Sequence, residues 1–292
     1  MIMFIFGMKL AYGVYKFTTF QEIGRFFFDQ LLKKWVFFFI ISLSIYGVMS
    51  YTDEPLSKYW MINFGQDCPK YMWQEWFLFR HLQLDGKVCL PWLFLPQAEM
   101  FLTLLATPFV IIFRIKKNLG YMLMGLVCLI SMIISFAILS DQGVIFEPTK
   151  IFNQQKEYSV NYQTNTFVRS GAFFFGLIFA FMVIEGLEKV EGKNRTGEYR
   201  LAKKIRKSKM IQNLLHGFGI AIMIVVLSMV SLYFDRDNRI TNKTSAYWFL
   251  TLSPPAFLIG FAMFLIPSFW QVEAGLSYYI NKIFGWSGWN SL

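Results

Sequence analysis

Charge is what this chain has least of. Asp, Glu, Lys and Arg make up 16% of its 292 residues, whereas a soluble domain carries about 25%. So little charge cannot cover a water-facing surface of ordinary extent. Histidine is nearly absent, at two residues, and cysteine stops at three. His81 and His216 each merit inspection as a general base. No acidic residue stands at helical spacing from His216, and a structural role is favoured for both. No CxxC spacing occurs, and one histidine beside two cysteines in a loop is a poor metal set, so no metal site is expected. The ten-residue alternating segments of a β-barrel are missing. Met1 leads straight into apolar residues, without the basic start and small-residue cleavage site of a secretory signal, and no Arg-rich transit peptide is visible. There is no fixed-period repeat and no low-complexity linker, so 1–292 reads as a single membrane domain.

What remains is apolar: 55% hydrophobic and 20% aromatic, with 34 Phe. The heavy use of Phe, Lys, Ile, Tyr and Asn is common in AT-rich genomes. Several runs approach or exceed the roughly 18–20 residues that cross a bilayer. The pattern predicts an all-α fold, a polytopic transmembrane helix bundle with about seven membrane segments. They are Met1–Tyr15, Trp35–Ser50, Trp92–Phe113, Leu119–Ser140, Val168–Ile184, Ile211–Tyr233 and Tyr247–Trp270. The first is short and interrupted by Lys9, a truncated span or half-helix. The last contains Pro254-Pro255, which removes backbone donors and predicts a kink or an irregular turn.

Loop charge predicts orientation. Lys16, Arg25, Lys33 and Lys34 precede the second segment, Arg114, Lys116 and Lys117 follow the third, and nine basic residues fill 186–210. If each segment crosses once, these sixteen lie on one side, against nine in 52–91, 141–167 and 234–246. The positive side is the cytoplasm, or the matrix of a mitochondrion. The net charge of +10 is thereby a topology signal, and no nucleic-acid partner is expected. The 186–210 loop is either a surface helix attracting anionic lipid or a solvated topogenic loop.

The long outer loop, 52–91, holds Cys68 and Cys89. A disulfide between them would close a loop of about twenty residues and stabilise it by roughly 3 kcal/mol. The alternative is two free thiols in an aromatic cap. Cys128, mid-span, is a packing residue. Trp73, Trp76, Phe77, Phe79 and Trp92 fit an interfacial aromatic belt. The spacing of Trp73, Trp76, Phe79 and Arg80 predicts a short amphipathic helix on the membrane surface. Glu99 stands inside the third segment. An acid there is costly unless it is paired or faces water, so it is either functional or part of a structural pair. Gln97, Asp141 and Arg169 are its candidate neighbours.

The stretches CPKYMWQEWFLF and CLPWLFLPQAEMFLTLLATP resemble the acyltransferase-3 family of membrane proteins, in its nose-resistant-to-fluoxetine branch. The matching positions are Cys68, Tyr71, Trp73, Cys89, Trp92 and Glu99. VRSGAFFFGLIFA is similar to that family's Arg-x-Gly…Gly helix, through Arg169, Gly171 and Gly176. KKNLGYMLMGL resembles its basic turn, INKIFGWSGWNSL its amphipathic stretch, and MIMFIFGMKLAYGVYKF its Phe-rich span, through Phe4, Gly7, Ala11 and Tyr12. The resemblance covers nearly the whole chain, in the family's order. It implies acyl transfer from an acyl-CoA-like donor. It also implies a histidine in a first span, which has no counterpart before His81. Phe101 stands where the family commonly has Gln, and Ala98 where it has Asn or another residue. Relative to the family the chain is expected to be truncated at both ends.

These readings predict a degenerate acyltransferase-like protein with no catalytic residue, Glu99 and Arg169 being vestigial. It is expected to serve as an accessory subunit beside other membrane subunits, in a mitochondrial inner-membrane assembly. No cofactor is expected, and phospholipid is the expected ligand. An active acyltransferase using Glu99 is the alternative. A transporter is another, to which Glu99 and the proline pair point but for which no inverted repeat is seen.

Overall fold

A computed structural model describes residues 1–17, 19–51, 68–78, 93–142, 165–190, 205, 208–233 and 243–269. Among these residues there are eight helices and no strand. They are α1 (Ile2–Tyr15), α2 (Phe20–Tyr51), α3 (Cys68–Trp76), α4 (Phe94–Ile115), α5 (Lys117–Gln142), α6 (Thr166–Val190), α7 (Lys209–Tyr233) and α8 (Lys243–Phe269). Six are long and apolar enough to cross a membrane: α2, α4, α5, α6, α7 and α8. The protein is thus a helical integral membrane protein. The segment at the N-terminus is helical, but its 14 residues rise about 21 Å, short of a hydrocarbon core of about 30 Å.

Local chemistry sets where helices start. Thr19 and Glu22 cap α2 reciprocally: the Glu22 amide donates to Thr19 Oγ1 at 3.3 Å, and the Thr19 amide donates to Glu22 Oε2 at 3.2 Å. Asn165 Oδ1 accepts from the Phe167 and Val168 amides at the head of α6. Ser208 Oγ accepts from Ile211 at the head of α7. Between α4 and α5 only Lys116 is non-helical, with extended backbone. That turn needs Gly120, because a Cβ there would sit 2.5 Å from Phe113 Cα.

The helices fall into two compact units. In residues 2–175, aromatic rings stitch the elements together. Phe4 meets Phe175, Phe109 meets Phe174, Phe101 meets Phe167 and Phe113 meets Tyr121, with centroids 5.0–5.9 Å apart. The α5–α6 contact is close and polar. Ser131 Oγ donates to Val168 O at 3.0 Å and accepts from the Gly171 amide at 3.1 Å. A Cβ at Gly171 would stand 2.8 Å from that oxygen. Cys128, a free thiol, lies 3.4 Å from Gly171 O.

In residues 176–292, α7 and α8 cross on glycine. A Cβ at Gly219 would lie 2.6 Å from Gly260 O, and one at Gly260 would lie 2.9 Å from Gly219 O. Small residues at a crossing let two backbones approach, which is how membrane helices gain dispersion contact without a hydrophobic driving force. His216 is buried in this unit, its ring 5.3 Å from that of Phe264. Phe179 meets Phe269 at 6.0 Å.

Two expectations are corrected. No irregular turn stands at the proline pair: α8 is helical through Pro254, Pro255 and Pro267. Proline fixes φ near the helical value, so the helical path persists although donors are lost. Arg25, Lys33 and Lys34 do not lie in a loop. They are inside α2, whose helix begins at Phe20, fifteen residues before the apolar run. The capping box and the buried Ile23 and Phe27 carry the helix through that charged stretch.

Candidate functional site

The site grows from the pairing of α2 with α4. The two run antiparallel. Near the end of α4, Arg114 donates to Val14 O (3.2 Å) and Tyr15 O (2.7 Å), closing the last turn of α1. Its guanidinium lies 4.8 Å from the Tyr15 ring centroid. Phe17, just beyond α1, meets Phe26 of α2 at 5.3 Å. Near the start of α4, Lys34 Nζ lies 2.5 Å from Glu99 Oε1. The buried face of α2 carries Ile23, Phe27, Phe38 and Ser42, and Lys34 falls on that same face. A helix places such positions together at spacings of three and four.

Glu99, singled out by the sequence, is therefore an ion-paired acid. Its side chain is 14% exposed and that of Lys34 28%. The candidate neighbours from sequence are corrected: among the described residues the carboxylate's partner is Lys34, not Gln97, Asp141 or Arg169. Gln97 is fully buried on α4. Asp141 is exposed at the end of α5, and Arg169 is half-buried in the first turn of α6. Phe101 and Phe167, each two residues from Glu99 and Arg169 respectively, meet edge to face at 5.9 Å. Below Glu99, Thr103 Oγ1 donates to Glu99 O at 2.6 Å and Thr107 Oγ1 to Thr103 O at 3.2 Å.

Immediately beyond Lys34, from Trp35 to Ser42, α3 docks onto α2. Trp35 Nε1 donates to Trp76 O at 2.8 Å, and Trp76 Nε1 donates to Ser42 Oγ at 2.9 Å. The Trp76 ring meets Phe39 at 4.8 Å. Trp73 stays 49% exposed. The helix predicted around Trp73 and Trp76 is present as α3; Phe79, Arg80 and Trp92 lie outside the described residues. Cys68 is fully buried with Met72, and Ile45, Tyr46, Trp76 and Leu93 pack on them. The expected Cys68–Cys89 bond involves Cys89, which lies outside the described residues, as does most of the 52–91 loop and of the basic 186–210 loop.

Sequence reading misses Lys34, because just outside an apolar run it looks like a topogenic loop charge. It also missed Glu185, an acid 3% exposed on α6 at the end of the candidate span Thr166–Gly186. The signal for Lys34 was available: continued at helical spacing, Ile23, Phe27, Lys34 and Phe38 share a face. Among the described residues no group of three His, Cys, Asp or Glu side chains can hold a metal ion. No family model, curated protein or solved structure matches this chain.

Proposed function

We propose that the chain is a noncatalytic structural subunit of a larger membrane assembly, on a scaffold like that of the acyltransferase-3 family. The Lys34–Glu99 pair carries this reading. A general base needs a lone pair free to take a proton within reach of substrate. The acid that the family resemblance points to is committed instead to a lysine of the neighbouring helix. A half-buried pair of this kind serves to fix helix register. The stretch around it is likewise engaged in packing, with both Trp35 and Trp76 tied by hydrogen bonds.

The Cys68–Cys89 disulfide belongs to the same reading, as a staple on the α3 cap. Leu93 packs against the Cys68 cluster, and it stands four positions after Cys89, a separation of at most about 14 Å. Phospholipid is the proposed ligand. The mitochondrial inner membrane is the proposed compartment, on the strength of composition and of the basic loops. The test is extraction of native membranes in mild detergent. The protein is expected to migrate with other subunits and to fractionate with inner membrane. Recovery as a lone monomer would overturn the reading. So would acyl-CoA turnover that is lost in Glu99→Gln.

A further inference from the structure

Lys9 is the one charged residue of α1, and its side chain is exposed. The helix sorts its residues by face. Met3, Phe4, Gly7, Leu10, Ala11 and Val14 are buried and share one side. Ile2, Ile5 and Lys9 are exposed, Tyr12 is half-buried, and exposed Lys16 continues the row just past the last turn. Spacings of three, four, three and four put these five within an arc of about 80°, opposite the buried side. Along that arc the chemistry changes in one direction. Two isoleucines come first, then a lysine and a tyrosine, then a second lysine.

The direction matches depth. Arg114, which holds the Val14 and Tyr15 carbonyls, stands one residue before the end of α4, and Lys116 alone separates α4 from α5. Both helices are long enough to cross a bilayer, so a one-residue turn between them sits at its surface. The Lys16 end of the row is therefore at headgroup level. The isoleucine end is deeper. Phe4 meets Phe175, and the neighbouring Phe174 meets Phe109, five residues back from Arg114 on α4. Lys9 is seven residues from Lys16, about 10 Å of helix. Its stem must run toward the surface for its ammonium to reach polar surroundings.

Charge at the surface end is not balanced by the protein. Lys16, Lys116 and Lys117 are exposed. Arg114 donates to carbonyls, which leave its charge in place. Among the described residues no carboxylate pairs with Lys9, Lys16 or Lys116. The acid nearest to Lys16 in sequence, Glu22, accepts from the Thr19 amide at the head of α2.

We infer that this face of α1 binds one anionic phospholipid of the leaflet on the basic side. Its phosphate is held by Lys9 and Lys16 with Lys116 close by in the α4–α5 turn, and its acyl chain lies along Ile5 and Ile2. The order of the chemistry selects the occupant. A phospholipid is charged at one end, apolar along the rest, and stands in the bilayer in that direction. Free phosphate would suit the lysines and leave the isoleucines unmatched. An apolar helix would leave Lys9 without a counter-charge. Each basic residue at the surface strengthens the hold on an anionic headgroup.

This inference rests on the reading of phospholipid as the ligand, and its test separates the two. The full chain in mild detergent is titrated with phosphatidylglycerol, with phosphatidylcholine of the same acyl chains, and with inorganic phosphate. Native mass spectrometry counts the bound lipid. One phosphatidylglycerol is expected to bind about tenfold more tightly than phosphatidylcholine, and inorganic phosphate should not displace it. Lys9→Met and, separately, Lys16→Gln should each lower that affinity about fivefold, whereas Lys9→Arg and the α2 variant Lys33→Gln should keep it. Lys9→Met takes a charge off a lipid-facing position, so without lipid it should melt with the parent. In native membranes a photoreactive benzoylphenylalanine in place of Ile5 should label lipid. Equal affinity for the two lipids overturns the inference and leaves phospholipid as the ligand. Binding of neither overturns both. Displacement by inorganic phosphate, an equal loss in Lys33→Gln, or joining of the Ile5 probe to a polypeptide instead of lipid also overturns the inference.

Discussion

Removing one member of the Lys34–Glu99 pair should cost far more than removing both. Lys34→Met leaves the Glu99 carboxylate with 14% of its side chain exposed and no cation beside it. Breaking a fully buried pair from one side typically costs 3–5 kcal/mol, much of it the penalty of an uncompensated charge. Lys34 keeps some solvent contact, so the expectation is lower, about 2–3 kcal/mol. Glu99→Gln should cost less than Lys34→Met, because a long lysine can swing its ammonium toward water along its apolar stem. The double change Lys34→Met with Glu99→Met removes both charges, keeps roughly the volume, and should return to within about 1 kcal/mol of the parent. With Glu99→Met as the second single variant, these form a double-mutant cycle with a coupling of about 2 kcal/mol. The readout is thermal unfolding in mild detergent, followed by tryptophan fluorescence, since Trp35 and Trp76 sit beside the pair. Each kcal/mol should move Tm by roughly 2–4 °C in a chain of this size. If the single and double variants melt together, or all stay within a degree of the parent, the pair does not hold α2 to α4 and the register argument is wrong.

Other predictions concern packing and the α3 cap. Gly260→Ala should lower Tm by several degrees and weaken α7–α8 pairing, because its Cβ would press on the Gly219 carbonyl. Gly217→Ala, with nothing within 4 Å of the added carbon, should be neutral or gain up to about 1 kcal/mol from helix propensity. Trp76→Phe keeps a ring against Phe39 but loses the bond to Ser42; a loss of about 1 kcal/mol is expected by the same melt. Non-reducing peptide mapping should find Cys68 joined to Cys89 and Cys128 alkylated, and free Cys68 and Cys89 thiols would remove the staple.

Much of the architecture was legible in the residues. Membrane helices need long apolar runs because lipid offers no partners to the backbone, so the runs at 92–113, 119–140, 168–184, 211–233 and 247–270 mark α4 to α8 closely. The spacing of Trp73 and Trp76 marked α3 for a similar reason: helical period shows even in nine residues. The candidate acid was also visible, because one glutamate in an apolar run stands out. Its meaning was not. Hydropathy averages over a window and discards direction, so Lys34 looked like a loop charge when it is a buried-face residue of a 32-residue helix. That helix forms because a local capping box and an Ile23–Phe27 face override local polarity, and the apolar face acts only once the tertiary fold buries it. Proline chemistry predicts a kink or an irregular turn in α8, yet no irregular turn is found, because the φ that proline fixes is the helical one. Whether Glu99 faces water, Arg169 or Lys34 depends on which two helices pair and in what register. Only tertiary packing decides that, since the partners stand 65 residues apart in the chain.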